Sequence, residues 1–121
     1  MKKRSSLSQV EKDAAFLADI VSESKDIAAF TLGMELDAFL SDRLVKKAVT
    51  KCLESIAEAT KSLTPTLKSR HPDVQWKQVA GFRDFAAHHY WELDYGLVWD
   101  VVKQHLPRLM AAVATELEGL S

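Results

Sequence analysis

The stretch most heavily loaded with chemistry is Gly81-Phe82-Arg83-Asp84-Phe85-Ala86-Ala87-His88-His89-Tyr90, where ionisable groups enter an otherwise packing-type helical pattern. Arginine offers a fixed fork of donors suited to phosphate oxygens, and histidine is the side chain best placed to exchange a proton near neutral pH. Together they suit attack of an RNA 2′-hydroxyl on its adjacent phosphate, in which a base removes the hydroxyl proton and a cation stabilises the charged transition state. That chemistry requires no metal. At about 100° per residue, Arg83 and His88 differ by roughly 140° on an ideal helix and share no face, whereas Asp84 and His88, four apart, do. Asp84 is therefore placed to orient His88 and favour its charged form. Arg83 joins them if the helix ends around Ala87 or if a second subunit contributes.

A plainer reading of the same residues stays open. Arg83 and Asp84 fit solvated helix positions, and His88 and His89 fit a helix C-terminus, where the macrodipole favours a cation. Tyr90, an amphipathic ring, fits a half-buried place at a helix end. His71 beside Pro72 has no partner at a metal-ligand spacing, and Cys52 is the single cysteine, so no metal site is expected. His105, on the side of Val98, Val101 and Val102, reads as a packed residue. Trp76, Trp91 and Trp99 read as core or interface anchors, and Lys46, Lys47 and Lys51 as a solvated helix face, with RNA contact as the alternative.

These residues need elements to hold them, and the periodicity supplies helices. Val10, Ala14, Leu17, Val21 and Ala28, flanked by Phe16, Ile20 and Ile27, predict a long first helix over roughly Ser8 to Phe30. Gly33 breaks it, and Glu35 to Leu40 forms a turn or one short helical piece. Ser41 or Asp42 caps a second long helix with the stripe Val45, Val49, Cys52, Ile56, Ala59 and Leu63. Pro65 and Pro72 bracket a loop, and a third helix starts near Asp73 to Trp76, with Trp76, Val79, Ala80 and Phe82 as its apolar contacts. Gly81 inside that helix lowers its propensity and points to close packing. From about Tyr95 a last helical region carries Leu97, Val98, Val101, Val102, Leu109, Met110, Val113 and Leu117, and Pro107 kinks or divides it. The expected fold is all-α: a four- to five-helix bundle with two long antiparallel helices, in one domain over residues 8–121 behind a flexible segment of residues 1–7.

Composition agrees with this frame. The chain has 121 residues, enough for one hydrophobic core, and 47% hydrophobic with 27% charged residues is the balance of a globular protein. Four Gly and three Pro are too few for the regular turns of a β-sandwich or barrel. Polar residues follow Met1-Lys2-Lys3-Arg4 where a secretion signal needs an apolar run, and no stretch reaches the ~18 apolar residues of a membrane span, so a cytoplasmic location is expected. A formal net charge of −1 excludes binding of nucleic acid through bulk basicity. Local charge differs: from Lys61 to Tyr90 the positive residues are Lys61, Lys68, Arg70, Lys77 and Arg83, against Asp73 and Asp84 alone.

The Arg-x4-His-x-Tyr string from Arg83 to Tyr90 resembles the signature of HEPN domains, and specifically the HepT-like toxins of HepT–MntA toxin–antitoxin pairs. The resemblance extends through Phe16-Leu17-Ala18-Asp19-Ile20, Asp42-Arg43, Ile56-Ala57-Glu58-Ala59, His71-Pro72 with Trp76, and then Val98-Trp99-Asp100 and Leu106-Pro107. It implies a HEPN-type bundle and a metal-independent endoribonuclease toxin that dimerises and places two Arg and His pairs in a shared cleft. On that resemblance Arg83 and His88 are catalytic, Asp84 supports them, and Tyr90 is where an MntA-like nucleotidyltransferase antitoxin transfers AMP. The implied partners are RNA, that antitoxin and a second copy of the chain. No cofactor and no membrane enter. His89 and Ala57 stand where relatives commonly have Gly. Two other functions compete: a non-catalytic helical partner that docks a nucleotidyltransferase or binds nucleotide, and a structural homodimer joined through Trp91 and the last helix.

Overall fold

The computed structural model describes residues 8–89 and 93–120, without the side chains of residues 83–85 and 87–89; residues 1–7, expected as a flexible segment, lie outside the described residues. Ser8 starts the first helix, α1 (Gln9–Phe30), through a capping box: its hydroxyl accepts from the Glu11 amide while the Glu11 carboxylate accepts from the Ser8 amide. Helix α1 ends where Gly33 takes φ +75, a left-handed conformation that side chains with a Cβ resist. The expected stripe needs one correction. Leu17, Ile20 and Ile27 are buried, but so is Asp13, whereas Val10 is 62% exposed and Ala28 lies on the outside.

The short piece after Gly33 is a helix, α2 (Leu36–Ser41), and it buries Phe39 alone. Asp42, one of the two capping candidates, accepts from the Val45 amide at 3.0 Å and starts α3 (Arg43–Lys61). The stripe Val49, Cys52, Ile56, Ala59 and Leu63 is buried as the spacing predicts, and Val45 is half-buried. Between Pro65 and Pro72, where a loop was expected, the chain makes a helical turn, α4 (Pro65–Ser69). Pro65 opens it, where a missing N–H costs nothing, and the Thr64 hydroxyl caps it by accepting from the Leu67 amide at 3.3 Å.

Helix α5 (Trp76–His89) follows, then α6 (Tyr95–Asp100), a π-helical turn (Val101–His105) and α7 (Leu106–Leu120). Pro107 therefore divides the last helical region. It has no N–H for the Lys103 carbonyl, its ring crowds that turn, and the backbone answers by widening: the Leu106 amide donates to the Val101 carbonyl, five residues back. Leu97, expected among the packed residues of this region, is 63% exposed.

Helices α1 and α3 pack antiparallel, with Asp13 near the start of one meeting Thr64 just past the end of the other. Helix α5 covers α3 and α7 covers α1, around a core that runs from Leu17 to Val113. The all-α bundle with two long antiparallel helices is thus the fold formed, with two short helices and a divided last one added to the expected set. No helix of the described residues is long and apolar enough to cross a membrane.

Candidate active site

Helix α5 carries the motif, and its entry is fixed by Trp76. The half-buried indole donates its Nε1–H to the carbonyls of Lys68 (3.1 Å) and His71 (3.0 Å), tying the first turn of α5 back onto the loop before it. Half-buried Val79 and Phe82 with buried Ala86 form the row that faces α3 and the core. Gly81, expected to permit close packing, does not: a Cβ built there meets nothing within 4 Å, because the residue lies on the exposed side of α5.

The helix runs through His89, past Ala87. An end near Ala87, one of the two ways Arg83 and His88 could come together, is therefore removed. On one continuous helix they keep register positions about 140° apart, while Asp84 and His88 sit one turn apart on the side roughly opposite Ala86. The side chains of Arg83, Asp84 and His88 are outside the described ones, and Tyr90 and Trp91 lie outside the described residues altogether. Beyond them the chain re-enters helix at α6, whose cap, Asp94, accepts from the amides of Gly96 (2.9 Å) and Leu97 (3.3 Å).

Two hollows flank α5. Beside its first half a cavity of about 130 Å³ opens between α3, α5 and the π-helical turn, apolar at Leu53, Ile56, Val79 and Phe82, with His105 and Arg108 also in its wall. His105 is half-buried, as its apolar neighbours predict. Beside the second half an open groove of about 360 Å³ has Lys47, Lys51 and Glu54 of α3 on one side, Ala86 on another, and Leu93 and Tyr95 closing it. Lys46 sits over the Tyr95 ring, 4.9 Å from its centroid, and Lys51 faces Glu54 at 3.8 Å. The lysines expected on a solvated face therefore also border a groove. Trp99 is the packing anchor expected of it, tilted against Phe39 with centroids 4.9 Å apart, and Lys103 lies over its ring at 4.7 Å.

Polar pairs far apart in sequence were invisible to spacing. Asp13 accepts from the Thr64 amide at 2.9 Å and from its hydroxyl at 2.6 Å. His71 Nε2 meets Glu116 at 2.6 Å, and Arg70 donates through both Nε and Nη2 to the same carboxylate. That guanidinium chiefly holds the Glu116 carboxyl down to about 2, with burial opposing and His71 helping. Cys52 faces Glu23 and Asp26, the three ligand atoms lying within 4.8 Å of one another. Burial first, then the Glu23 hydrogen bond and both carboxylates, push the Cys52 thiol up to about 12, so it stays protonated near neutral pH.

Comparison with known proteins gives the family of the chain. The family model described as ribonuclease HepT-like matches residues 20–115. Two proteins of Methanocaldococcus jannaschii, each named as a putative RNase, are 43% and 38% identical to the chain over 108 residues, covering 87% of it and 89% of each relative. A protein of Thermococcus cleftensis named "Probable ribonuclease HepT" is 34% identical over 94 residues, covering 78% of the chain and 86% of the relative. No solved structure matches. With most of its length matched by the family model, the chain belongs to the ribonuclease HepT-like family.

Proposed function

We propose that this protein is a metal-independent endoribonuclease toxin, acting in the cytoplasm as a homodimer whose two α5 helices wall one cleft. Membership of the ribonuclease HepT-like family is the observation that carries the reading. The continuity of α5 through His89 supports the dimer: with Arg83 and His88 about 140° apart on one helix, a symmetry mate supplies the opposite wall.

In the cleft His88 takes the proton of a ribose 2′-hydroxyl, the oxygen attacks the adjacent phosphorus, and the bond to the 5′-oxygen breaks as that oxygen takes up the proton His88 has removed. The products are a 2′,3′-cyclic phosphate and a 5′-hydroxyl. Arg83 binds the phosphate oxygens on which charge builds, and Asp84, one turn before His88, orients the imidazole and favours its charged form. Silencing follows from chemistry two residues further on. A nucleotidyltransferase antitoxin directs the Tyr90 hydroxyl onto the α-phosphorus of ATP, pyrophosphate leaves, and the attached AMP puts a bulky nucleoside and a negative phosphate near Arg83, where it repels incoming RNA.

The test is cleavage of total cellular RNA in EDTA by the purified protein beside Arg83→Ala and His88→Ala forms, with circular dichroism as a check on folding. Cleavage by the parent alone is expected. Equal cleavage or equal inactivity in all three refutes the assignment. For silencing, intact mass after co-expression with the transferase is expected to rise by AMP multiples in the parent and not in Tyr90→Phe.

A further inference from the structure

A metal-ligating group lies away from the motif, where α1 and α3 pack on each other. Glu23 and Asp26 stand one turn apart on α1, and Cys52 of α3 meets them: the cysteine sulfur and a carboxylate oxygen from each acid all lie within 4.8 Å of one another. Burial is graded across the group. Cys52 is 7% exposed, Glu23 is half-buried and Asp26 is exposed, so the thiol forms the floor and the carboxylates the mouth. The thiol hydrogen-bonds to Glu23, and the charges that act on it are those of Glu23 and Asp26, with no cation among them. Among the described residues neither carboxylate takes part in an ion pair. Two negative charges thus converge on a buried thiol whose hydrogen-bond partner belongs to the group itself, an arrangement whose mutual repulsion a bound cation relieves.

We propose that Cys52, Glu23 and Asp26 bind one zinc ion, which clasps α1 to α3. The donor set selects the metal. A thiolate suits zinc and its heavier congener cadmium, whereas magnesium and calcium take oxygen ligands in larger number. Three side chains with water in the fourth position complete a tetrahedral zinc sphere. With zinc to sulfur at about 2.3 Å and zinc to oxygen at about 2.1 Å, neighbouring ligand atoms on a tetrahedron stand about 3.5 Å apart, so the group is open by at most about 1.3 Å. Rotation of the Glu23 and Asp26 side chains, on the outer side of the group, closes it, and exposed Asp26 leaves an entry path from solvent. On binding, zinc takes the place of the thiol proton, which passes to the buffer, so affinity rises with pH. Spacing along the chain hides this group, because Cys52 is the single cysteine and its acidic partners belong to another helix. The inference does not rest on the nuclease reading: the site joins α1 to α3, whereas the motif is on α5.

The experiment takes the whole chain, stripped with EDTA and passed into metal-free buffer, and titrates it with cadmium and with zinc. Cys52 is the only cysteine, so the ultraviolet sulfur-to-cadmium charge-transfer band reports this site whatever the four histidines bind. The parent is expected to reach its full band at one cadmium per chain, to release a proton as it does so, and to lose the band to competing zinc but not to calcium or magnesium. Zinc at about ten times its Kd should raise the Tm of the parent by about 6 °C. Glu23→Gln and Asp26→Asn, on the outer side of the group, are each expected to weaken cadmium binding at least about tenfold, since a lost ligand costs no less than a lost outer partner. Cys52→Ala removes the band and the rise in Tm. Asp37→Asn, an exposed carboxylate on α2, changes nothing. No band at one equivalent, a band that saturates at one cadmium per two chains, or equal affinity in the parent and both carboxylate variants overturns the inference. An equal loss in Asp37→Asn also overturns it. If Cys52→Ala does not fold, as circular dichroism will show, the two carboxylate variants decide the matter.

Discussion

Replacing Asp13 by alanine tests how the motif helix is held in place. Asp13 is 9% exposed and accepts twice from Thr64, whose hydroxyl also caps α4; α4 in turn leads to the loop that Trp76 fastens to α5. The removed bonds end on an ionised acceptor, worth about 1.5–3 kcal/mol each, but Thr64 is half-buried and water replaces part of what it loses, so a net cost of about 3 kcal/mol is expected. With an unfolding entropy of about 2.1 cal/mol/K per residue, 121 residues give about 0.25 kcal/mol/K, and the cost becomes a fall in Tm of about 12 °C. Thermal and urea unfolding followed by circular dichroism measure it. A double-mutant cycle with Thr64→Val, which removes the hydroxyl's bond to Asp13 and its cap on α4 but keeps the amide bond to Asp13, is expected to give a coupling of at least about 1 kcal/mol, the lost cap cancelling in the cycle. A Tm change below about 3 °C, or no coupling, would refute the argument that this buried pair fixes α4 against α1.

Glu116 sets a pH dependence. Its carboxyl is held at about 2 when folded, against 4.5 ordinarily, so its contribution is complete above about 4.5 and is lost as pH falls towards 2; stability profiles of the parent and Glu116→Gln should converge across that window, and parallel profiles would contradict this. Cys52 is buried and its thiol lies at about 12, so a disulfide reagent at pH 8 should leave the native protein untouched and label it fully in denaturant; rapid native labelling would contradict its placement. Gly81→Ala places a methyl in open space on a helix and should stabilise by about 0.5–1 kcal/mol, raising Tm by about 2–4 °C; a lower Tm would show that the position is packed against something.

Sequence alone determined what depends on neighbours along the chain. The 3.6-residue stripe of α3 from Val49 to Ala59 is buried as its period requires, with Leu63 just past the helix end buried too, and Ser8, Asp42 and Gly33 mark helix ends because capping and a left-handed turn are local chemistry. The motif was legible for a similar reason: Arg83, Asp84, His88 and Tyr90 sit within eight residues, so their types and spacing could be weighed directly. Proline chemistry was legible only in kind. That Pro107 must disturb a helix follows from its missing N–H, but whether the chain kinks or widens into a π-turn depends on what packs against Val102 and Leu106. Tertiary structure alone decided that Asp13 is buried rather than solvated, since its partner is 51 positions away, and that Glu116 serves Arg70 and His71. It also decided that the α3 lysines border the motif helix. Their spacing predicts a solvated face, and Lys47 and Lys51 are exposed while Lys46 is half-buried over Tyr95; the antiparallel packing of α3 on α5 sets Lys47 and Lys51 around the same groove as Ala86, a relation between elements that no period within either helix encodes.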